Sequence, residues 1–430
     1  MRWGCIADDV TGATDLATAF VSRGLTAAVH FGVPSPGDIA EFEDLEVLVV
    51  ALKSRTAPPA DAVRESLAAL DALAEAGAER FYVKYCSTFD STPSGNIGPV
   101  IDAVVGRLGE PGTVVVPSFP DTGRTVYQGR LFVGSDPLDE SPMRDHPLTP
   151  MRDSSLMRLL EPQTESDVSL VPLQTVHQGA EAVREELLRL IGSDRERPML
   201  AVVDALERED LAVIMEAAAG LKVVTGGSGL ALGIPAGDEA EARRIPLTPG
   251  RRAVLCGSAS ARTREQIASG KALLPFRKLD LDALRSDVVA EAGRIIDWAR
   301  DLWSKDSSAV PLVFSAESIE DLAEDRDNVS SLVEQALAAI AAGMIGEGVR
   351  ELVVAGGESS GRVVQELGVK ALRIGPAISP GVAWANATAA DGTSLSLALK
   401  SGNFGERDMF TTAWSALEGA AHLGEGTEEK

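Results

Sequence analysis

Three groups of residues have types and spacings that can do chemistry. The first follows a short β-branched run: Gly356-Gly357-Glu358-Ser359-Ser360-Gly361, after which Arg362 to Leu367 reads as a helix. A strand, a glycine loop and a helix N-terminus leave bare backbone N–H groups pointing outward, and the helix dipole favours negative charge there. Two glycines let an oxyanion approach the main chain with no Cβ in the way. Taken alone, the stretch reads equally as a tight turn with a serine cap. The second group is Asp8-Asp9, directly after the first strand. Neighbouring side chains leaving a strand point different ways, so one carboxylate can accept a hydroxyl proton while the other caps the next helix. Plain capping by both is the structural alternative. The third group is basic: Lys53, Arg55, Lys84 and Arg124, in loops that also carry Ser87 and Thr88. Arginine can grip a carboxylate bidentately and lysine acts as a point charge; a solvated surface role is the alternative for each. Asp90, Asn96 and Asp121 are candidate partners for substrate hydroxyls.

In the second half, Ser258, the Gly356–Gly361 loop and Lys400-Ser401-Gly402-Asn403 offer backbone donors, hydroxyls and one cation. That inventory suits a triphosphate better than a dinucleotide. No GxxxxGK[ST] occurs, and the glycine loop does not have GxGxxG spacing. The four histidines and three cysteines show no metal-ligand spacing, so metal ligands cannot be named from the sequence.

The elements that must position these groups alternate between strand-like and helical runs, the α/β pattern. Strands are expected at 5–7, 27–31, 47–51, 81–84, 113–116, 199–203 and 223–224, with the first helix following Asp15 and running to about Arg23. Residues 117–150 are rich in Pro, Gly and Asp with little periodicity, and read as a long functional loop. Residues 253–256 open a second half, and 371–374 form a short strand. Several strands end in Gly/Ser/Asp/Thr clusters, and ligands of open α/β sheets bind outside the carboxyl ends of the strands. The expectation is two α/β domains, 1–235 and 251–423, joined by a linker at 236–250, with an active-site cleft between them and a disordered tail at 424–430.

Net charge is −24, from 40 basic and 64 acidic residues. Nucleic acid and anionic membranes need a basic footprint, so neither is an expected partner. Three scattered cysteines, no signal peptide and no apolar run near the ~20 residues of a membrane helix point to the cytoplasm. Oligomeric state stays open, a homo-oligomer included.

The ordered motifs carry a resemblance. Ile6-Ala7-Asp8-Asp9-Val10-Thr11-Gly12-Ala13, Lys84-Tyr85-Cys86-Ser87-Thr88-Phe89-Asp90-Ser91-Thr92, Gly95-Asn96-Ile97-Gly98 and Gly123-Arg124-Thr125 resemble the four-carbon acid sugar kinase family. So do Thr225–Gly229, Ala355–Gly361, Ile374-Gly375-Pro376 and Leu399–Gly405, and the match runs from about residue 4 to 410. The Lys84–Thr92 form is similar to the 3-oxo-tetronate kinase branch. The resemblance implies an N-terminal substrate domain, a C-terminal nucleotide domain, and ATP-dependent phosphorylation of the 4-hydroxyl of a four-carbon sugar acid with Mg²⁺. The branch implies 3-oxo-tetronate, with threonate or erythronate as the alternative; a hydroxy-acid dehydrogenase or a non-catalytic sugar-acid sensor is more distant. ATP contacts carry over to Ser258, Gly356, Gly357, Glu358, Ser359, Ser360 and Gly402. Acceptor contacts are expected from Lys53, Arg55, Lys84, Ser87, Thr88, Asn96 and Arg124, and a catalytic base from Asp8 or Asp9. Three positions depart from the family pattern: Ala259 for Cys, Ser359 for Thr and Ala383 for Pro.

Overall fold

The computed structural model describes all 430 residues except 43, 146–148, 193–195, 238–243, 247, 318–325, 380 and 419–430. The expected tail at 424–430 therefore lies outside the described residues, as does much of the expected linker. The chain divides into two compact units, Met1–Ala242 and Arg243–Lys430.

The N-terminal unit is built on parallel strands β1 (Trp3–Ala7), β2 (Ala27–Phe31), β3 (Val47–Ala51), β4 (Arg80–Lys84) and β5 (Gly112–Val116). Strands β9 (Asp167–Val171), β10 (Met199–Val203) and β11 (Val223–Gly226) complete the order β2-β3-β1-β4-β11-β5-β10-β9. The central runs, Val47-Leu48-Val49-Val50-Ala51 among them, are buried throughout, as strands covered by helices on both faces must be. From β1 the chain crosses towards β2, whereas from β4 it crosses towards β5 on the other side. Neighbouring strands β1 and β4 therefore flank a topological switch point, where crossovers leave a crevice at the carboxyl ends.

Residues 117–150 are more ordered than their composition suggests. They contain an antiparallel sheet of β6 (Arg124–Tyr127), β7 (Arg130–Val133) and β8 (Asp136–Pro137). Gln128 and Gly129 both have positive φ (53° and 66°), which gives the two-residue hairpin loop the twist its strands need. The fully buried Asp204 carboxylate accepts the N–H groups of Gln128 and Gly129 at 2.8 and 2.9 Å. A distant side chain thus fixes a turn with no local hydrophobic signature.

The C-terminal unit holds β12 (Arg251–Cys256), β13 (Phe276–Lys278), β14 (Leu312–Phe314), β15 (Val349–Ala355), β16 (Ala371–Ser379), β17 (Val382–Thr388) and β18 (Ser394–Lys400). Their order is β13-β14-β12-β15-β18-β17-β16, parallel as far as β18, with β17 antiparallel to both its neighbours. Here β12 and β15 flank the switch point: the chain leaves β12 towards β13 and leaves β15 towards β16. The helix Arg326–Gly346 includes an 18-residue apolar stretch, Val329–Gly346, that is long enough to test as a membrane span. Half of it is buried inside the unit; Ala336, Leu337, Ile340 and Ala341 have no exposed surface, as befits a core helix.

One aromatic cluster ties together the elements that carry the N-terminal charges. Phe20, on the helix Val10–Ser22, packs against Trp3 of β1 at 5.7 Å and Tyr82 of β4 at 6.2 Å between ring centroids. The Tyr82 hydroxyl donates to the Gly227 carbonyl beyond β11. Removing a buried ring costs its transfer energy plus the cavity left behind. Phe20→Ala is expected to destabilise the N-terminal unit by about 3–5 kcal/mol in urea denaturation, and Phe20→Leu by clearly less.

Candidate active site

At the β1–β4 switch point, two acids and two bases are forced together by main-chain pairing. The Asp8 carbonyl accepts from Ser54 N–H at 3.0 Å and Arg55 N–H at 3.2 Å, while Asp8 N–H donates to the Lys84 carbonyl at 3.2 Å. That brings the Arg55 guanidinium over Asp8. Its Nε and Nη2 donate to the two carboxylate oxygens at 2.8 Å each, and Nη2 also reaches Asp9 Oδ1 at 2.6 Å. Asp9 caps the helix Val10–Ser22: Gly12 N–H donates to Oδ1 at 3.1 Å and the Thr11 hydroxyl to Oδ2 at 2.8 Å. The helix thus begins at Val10, six residues before the expected start, because Asp9 rather than a later residue supplies the cap. Lys84 Nζ lies 3.5 Å from Asp9 and 3.8 Å from Asp8.

These charges hold one another in their ionised forms. Burial pushes Asp9 towards neutrality, but Lys84 and Arg55 outweigh it and hold the carboxyl well below the usual carboxylate range. Burial likewise works against the Lys84 charge, and Asp9 and Asp8 more than compensate, leaving its pKa raised. Gly12 makes the arrangement sterically feasible. A Cβ there would sit 1.9 Å from Lys84 Nζ and 2.2 Å from Asp9 Oδ1.

The other expected acceptor residues divide into those that support this cluster and those that face away. Asn96 Nδ2 donates to the carbonyls of Ser54 at 2.7 Å and Ala57 at 3.0 Å, so it anchors the loop that carries Arg55. Thr88 donates to Asp90 at 2.6 Å in a turn where buried Phe89 takes a positive φ of 52° and meets Tyr85 edge to face. Ser87 is half-buried in that turn. Lys53 is exposed and has no place in the network. Asp121 is ion-paired with Arg208. Arg124 reaches the Thr122 carbonyl through Nη1, while its buried Nε has no partner. Two residues that the sequence did not single out join them: Asp15, 7% exposed, and the buried Ser228, whose hydroxyl makes no hydrogen bond of ordinary geometry.

In the C-terminal unit, the β12–β15 switch point presents a different chemistry. The helix Gly357–Glu366 starts at Gly356, which has φ +127° and offers no side-chain cap. Its first hydrogen bond is Ser360 N–H to the Gly356 carbonyl at 2.8 Å, which leaves the N–H groups of Gly357, Glu358 and Ser359 at the open end of the helix. The helix Ala261–Lys271 starts beside it from the other strand, capped by the Ser260 hydroxyl. Close approach is essential here. A Cβ at Gly257 would meet Ser359 Oγ at 2.0 Å, and one at Gly402 would meet Ser258 Oγ at 2.5 Å. Ser258, Ser359 and Gly402 therefore line one cradle with Gly356 and Gly357. The Ser360 hydroxyl turns back to the Val354 carbonyl at 3.3 Å, and Glu358 is exposed.

Lys400 is not the free cation that its sequence context suggests. It is fully buried and donates to Thr263 Oγ1, the Ser401 carbonyl and the Gly402 carbonyl at 2.9–3.1 Å. Ser260 and Thr263 hydroxyls also donate to the Gly402 carbonyl. Burial pulls the Lys400 ammonium down to about 8. Its three donors are spent on shaping the glycine turn, so what the cradle presents is N–H groups, hydroxyls and helix dipoles.

Comparison with known proteins covers both units of the chain. A model described as a sugar-binding N-terminal domain matches residues 3–234, and one described as a nucleotide-binding C-terminal domain matches 253–410. A 3-oxo-tetronate kinase of Burkholderia multivorans is 46% identical, over 97% of this chain and 98% of its own. Another, from Salmonella typhimurium, is 40% identical over 96% and 98%. A solved structure from Salmonella typhimurium, described as a putative tRNA synthase, superposes with a TM-score of 0.86 at 40% identity over 96% of this chain and 98% of its own. A Haemophilus influenzae structure gives 0.77 at 36% identity over 96% and 99%. With such identities over nearly the full length, the chain belongs to the four-carbon acid sugar kinase family.

Proposed function

We propose that the protein transfers the γ-phosphoryl group of ATP to the 4-hydroxyl of 3-oxo-tetronate. The observation that carries this reading is the full-length similarity to several proteins named 3-oxo-tetronate kinase, at 40–46% identity. The two switch points suit the two reactants. The acceptor is a small carboxylic acid, and Lys84 and Arg124 are the cations with donors left for it. Asp8 and Asp9, locked to Arg55, act as the charged frame that orients Lys84. A nucleic-acid substrate does not fit a chain of net charge −24.

The donor's phosphates lie on the cradle of Ser258, Gly356, Gly357, Ser359 and Gly402, where N–H groups meet charge spread over non-bridging oxygens. Mg²⁺ accompanies the triphosphate. Among the described residues no cluster of three His, Cys, Asp or Glu side chains is placed to hold a metal. A divalent ion bound with the triphosphate would offset its charge, and Glu358 and the hydroxyls of Ser258 and Ser359 would be the side-chain oxygens at hand to hold it or its waters.

A coupled assay of ADP release with 3-oxo-tetronate, threonate and erythronate tests the reading. The expected result is highest kcat/KM on 3-oxo-tetronate; a preference for threonate or erythronate reassigns the acceptor, and no ATP consumption with any acid sinks the kinase reading. Lys84→Met removes a charged hydrogen bond worth about 1.5–3 kcal/mol. The KM for the acid should rise roughly 10–100-fold while nucleotide affinity holds. Gly402→Val should do the reverse, raising the KM for ATP at least tenfold without changing acid binding, because its side chain would displace Ser258 Oγ.

A further inference from the structure

Phosphorylating an alcohol requires somewhere for its proton to go, and the most obvious carboxylates are already committed. Both oxygens of Asp8 accept from Arg55, Asp9 Oδ1 accepts from Arg55 and Gly12, and Asp9 Oδ2 accepts from Thr11. Each of these charge-assisted bonds stabilises the ionised carboxylate and makes it a poorer proton acceptor.

Asp15 is placed differently. It lies three residues beyond Gly12, on the same face of the helix Val10–Ser22. Lys84 Nζ rests against that face at the position of the absent Gly12 Cβ. The carboxyl is more than nine-tenths buried, yet forms no ion pair among the described residues. The groups whose charge or hydroxyl acts on it are Lys84 of β4, Ser228 after β11, Asp9 from the preceding loop and Arg124 of β6, and it acts in turn on Tyr82 of β4. Arg124 Nε has no partner, and the Ser228 hydroxyl acts on the Asp15 charge without a hydrogen bond of ordinary geometry. A carboxylate outside any ion pair, a weakly held hydroxyl and an unpartnered guanidinium N–H around an ammonium form a set of groups that a polyhydroxy acid would complete.

We propose that Asp15 is the proton acceptor for the attacking hydroxyl, a role that rests on the kinase reading above. In the transfer, the 4-hydroxyl O–H bond breaks and its proton passes to an Asp15 oxygen. The freed oxygen pair forms the bond to the γ-phosphorus, and the bond from that phosphorus to the β,γ-bridging oxygen breaks, its pair leaving with ADP. Ser228 and Arg124 hold the acceptor's other oxygens, and Asp15 returns the proton to water after product leaves. Electrostatics agree with this division. Burial pushes the Asp15 carboxyl up to about 6, against Lys84, Ser228 and Arg124, whereas Asp9 is held well below the usual carboxylate range. A general base works best with a pKa near the operating pH.

The test is single-turnover phosphoryl transfer from ATP to 3-oxo-tetronate, as a function of pH, in the wild type, Asp15→Asn and Asp8→Asn. A protonated base cannot accept, so the wild-type rate should fall below about pH 6 with unit slope. Asp15→Asn should lose at least 100-fold in rate, in the range that general-base catalysis contributes. Its residual rate should lack the acid limb, and its Kd values for ATP and the acid should change less than threefold. Asp8→Asn should keep the limb. A purely structural Asp15 would lower Tm and raise both Kd values while leaving the limb in place, which would overturn the proposal. A wild-type rate flat from pH 5 to 8 would overturn it without any variant, covering the case in which Asp15→Asn does not fold. A wild type inactive on every four-carbon acid defeats the kinase reading and this proposal together; an active wild type with an equally active Asp15→Asn defeats this proposal alone.

Discussion

Everything in the N-terminal site depends on holding four charges, two of each sign, together at the end of β1, with Lys84 buried and the other three half-buried. Taking an ion out of water costs several kcal/mol even after relaxation, and only close, multiply bonded partners offset it. Arg55 meets that condition, with three contacts of 2.6–2.8 Å to two carboxylates. Lys84 does not, since its nearest carboxylate oxygens lie at 3.5 and 3.8 Å. The cluster is therefore asymmetric. One cation is a lock that fixes both aspartates, and the other is held in place by their field with donors to spare.

The nucleotide unit solves the opposite problem with opposite means. A triphosphate brings its own dense negative charge, yet the buried lysine beside the cradle is turned inward. Lys400 spends its three hydrogens on Thr263 and two carbonyls, and so imposes the shape of the 401–402 turn. What remains to meet phosphate is neutral: helix N-termini and hydroxyls, preorganised by close strand-end packing. Such donors cost little to desolvate compared with a free ammonium, and they leave a site that does not need the rest of an acidic chain to be compensated.

Much of this was legible in the sequence, for reasons that differ by element. The central strands announce themselves because parallel strands buried on both faces read as unbroken β-branched runs. Asp8-Asp9 and the Gly356–Gly361 loop are legible because they directly follow such runs, at the end of the sheet where ligands bind. The antiparallel strands β16 to β18 read poorly. Val382-Ala383-Trp384-Ala385-Asn386-Ala387-Thr388 is largely alanine at alternate positions, which gives little alternation of polarity. The β6–β7 hairpin was hidden because Asp204, some 75 residues away, holds its turn. Roles were harder to read than positions. Asn96 and Lys400 have the side chains of ligand binders, and only their partners reveal them as struts. Asp15 was obscured by the opposite effect: the expected helix began only after it, and neither its place inside the helix nor its burial shows in the residue itself.

The glycines unite the two sites as a physical argument. At Gly12, Gly257 and Gly402 the position of a missing Cβ lies 1.9–2.5 Å from the polar atom of another site residue. Backbone freedom is not what these positions use, since none of the three adopts a positive φ. Each is a place where a functional group occupies the volume an ordinary side chain would fill. At Gly12 that group is the Lys84 ammonium, and its seat there puts it against the helix face that carries Asp15, between the capped Asp9 and the uncapped acid one turn further on. The absent methyl thus decides which carboxylates the lysine can reach. It separates the aspartates that frame the charge from the one left free to exchange a proton.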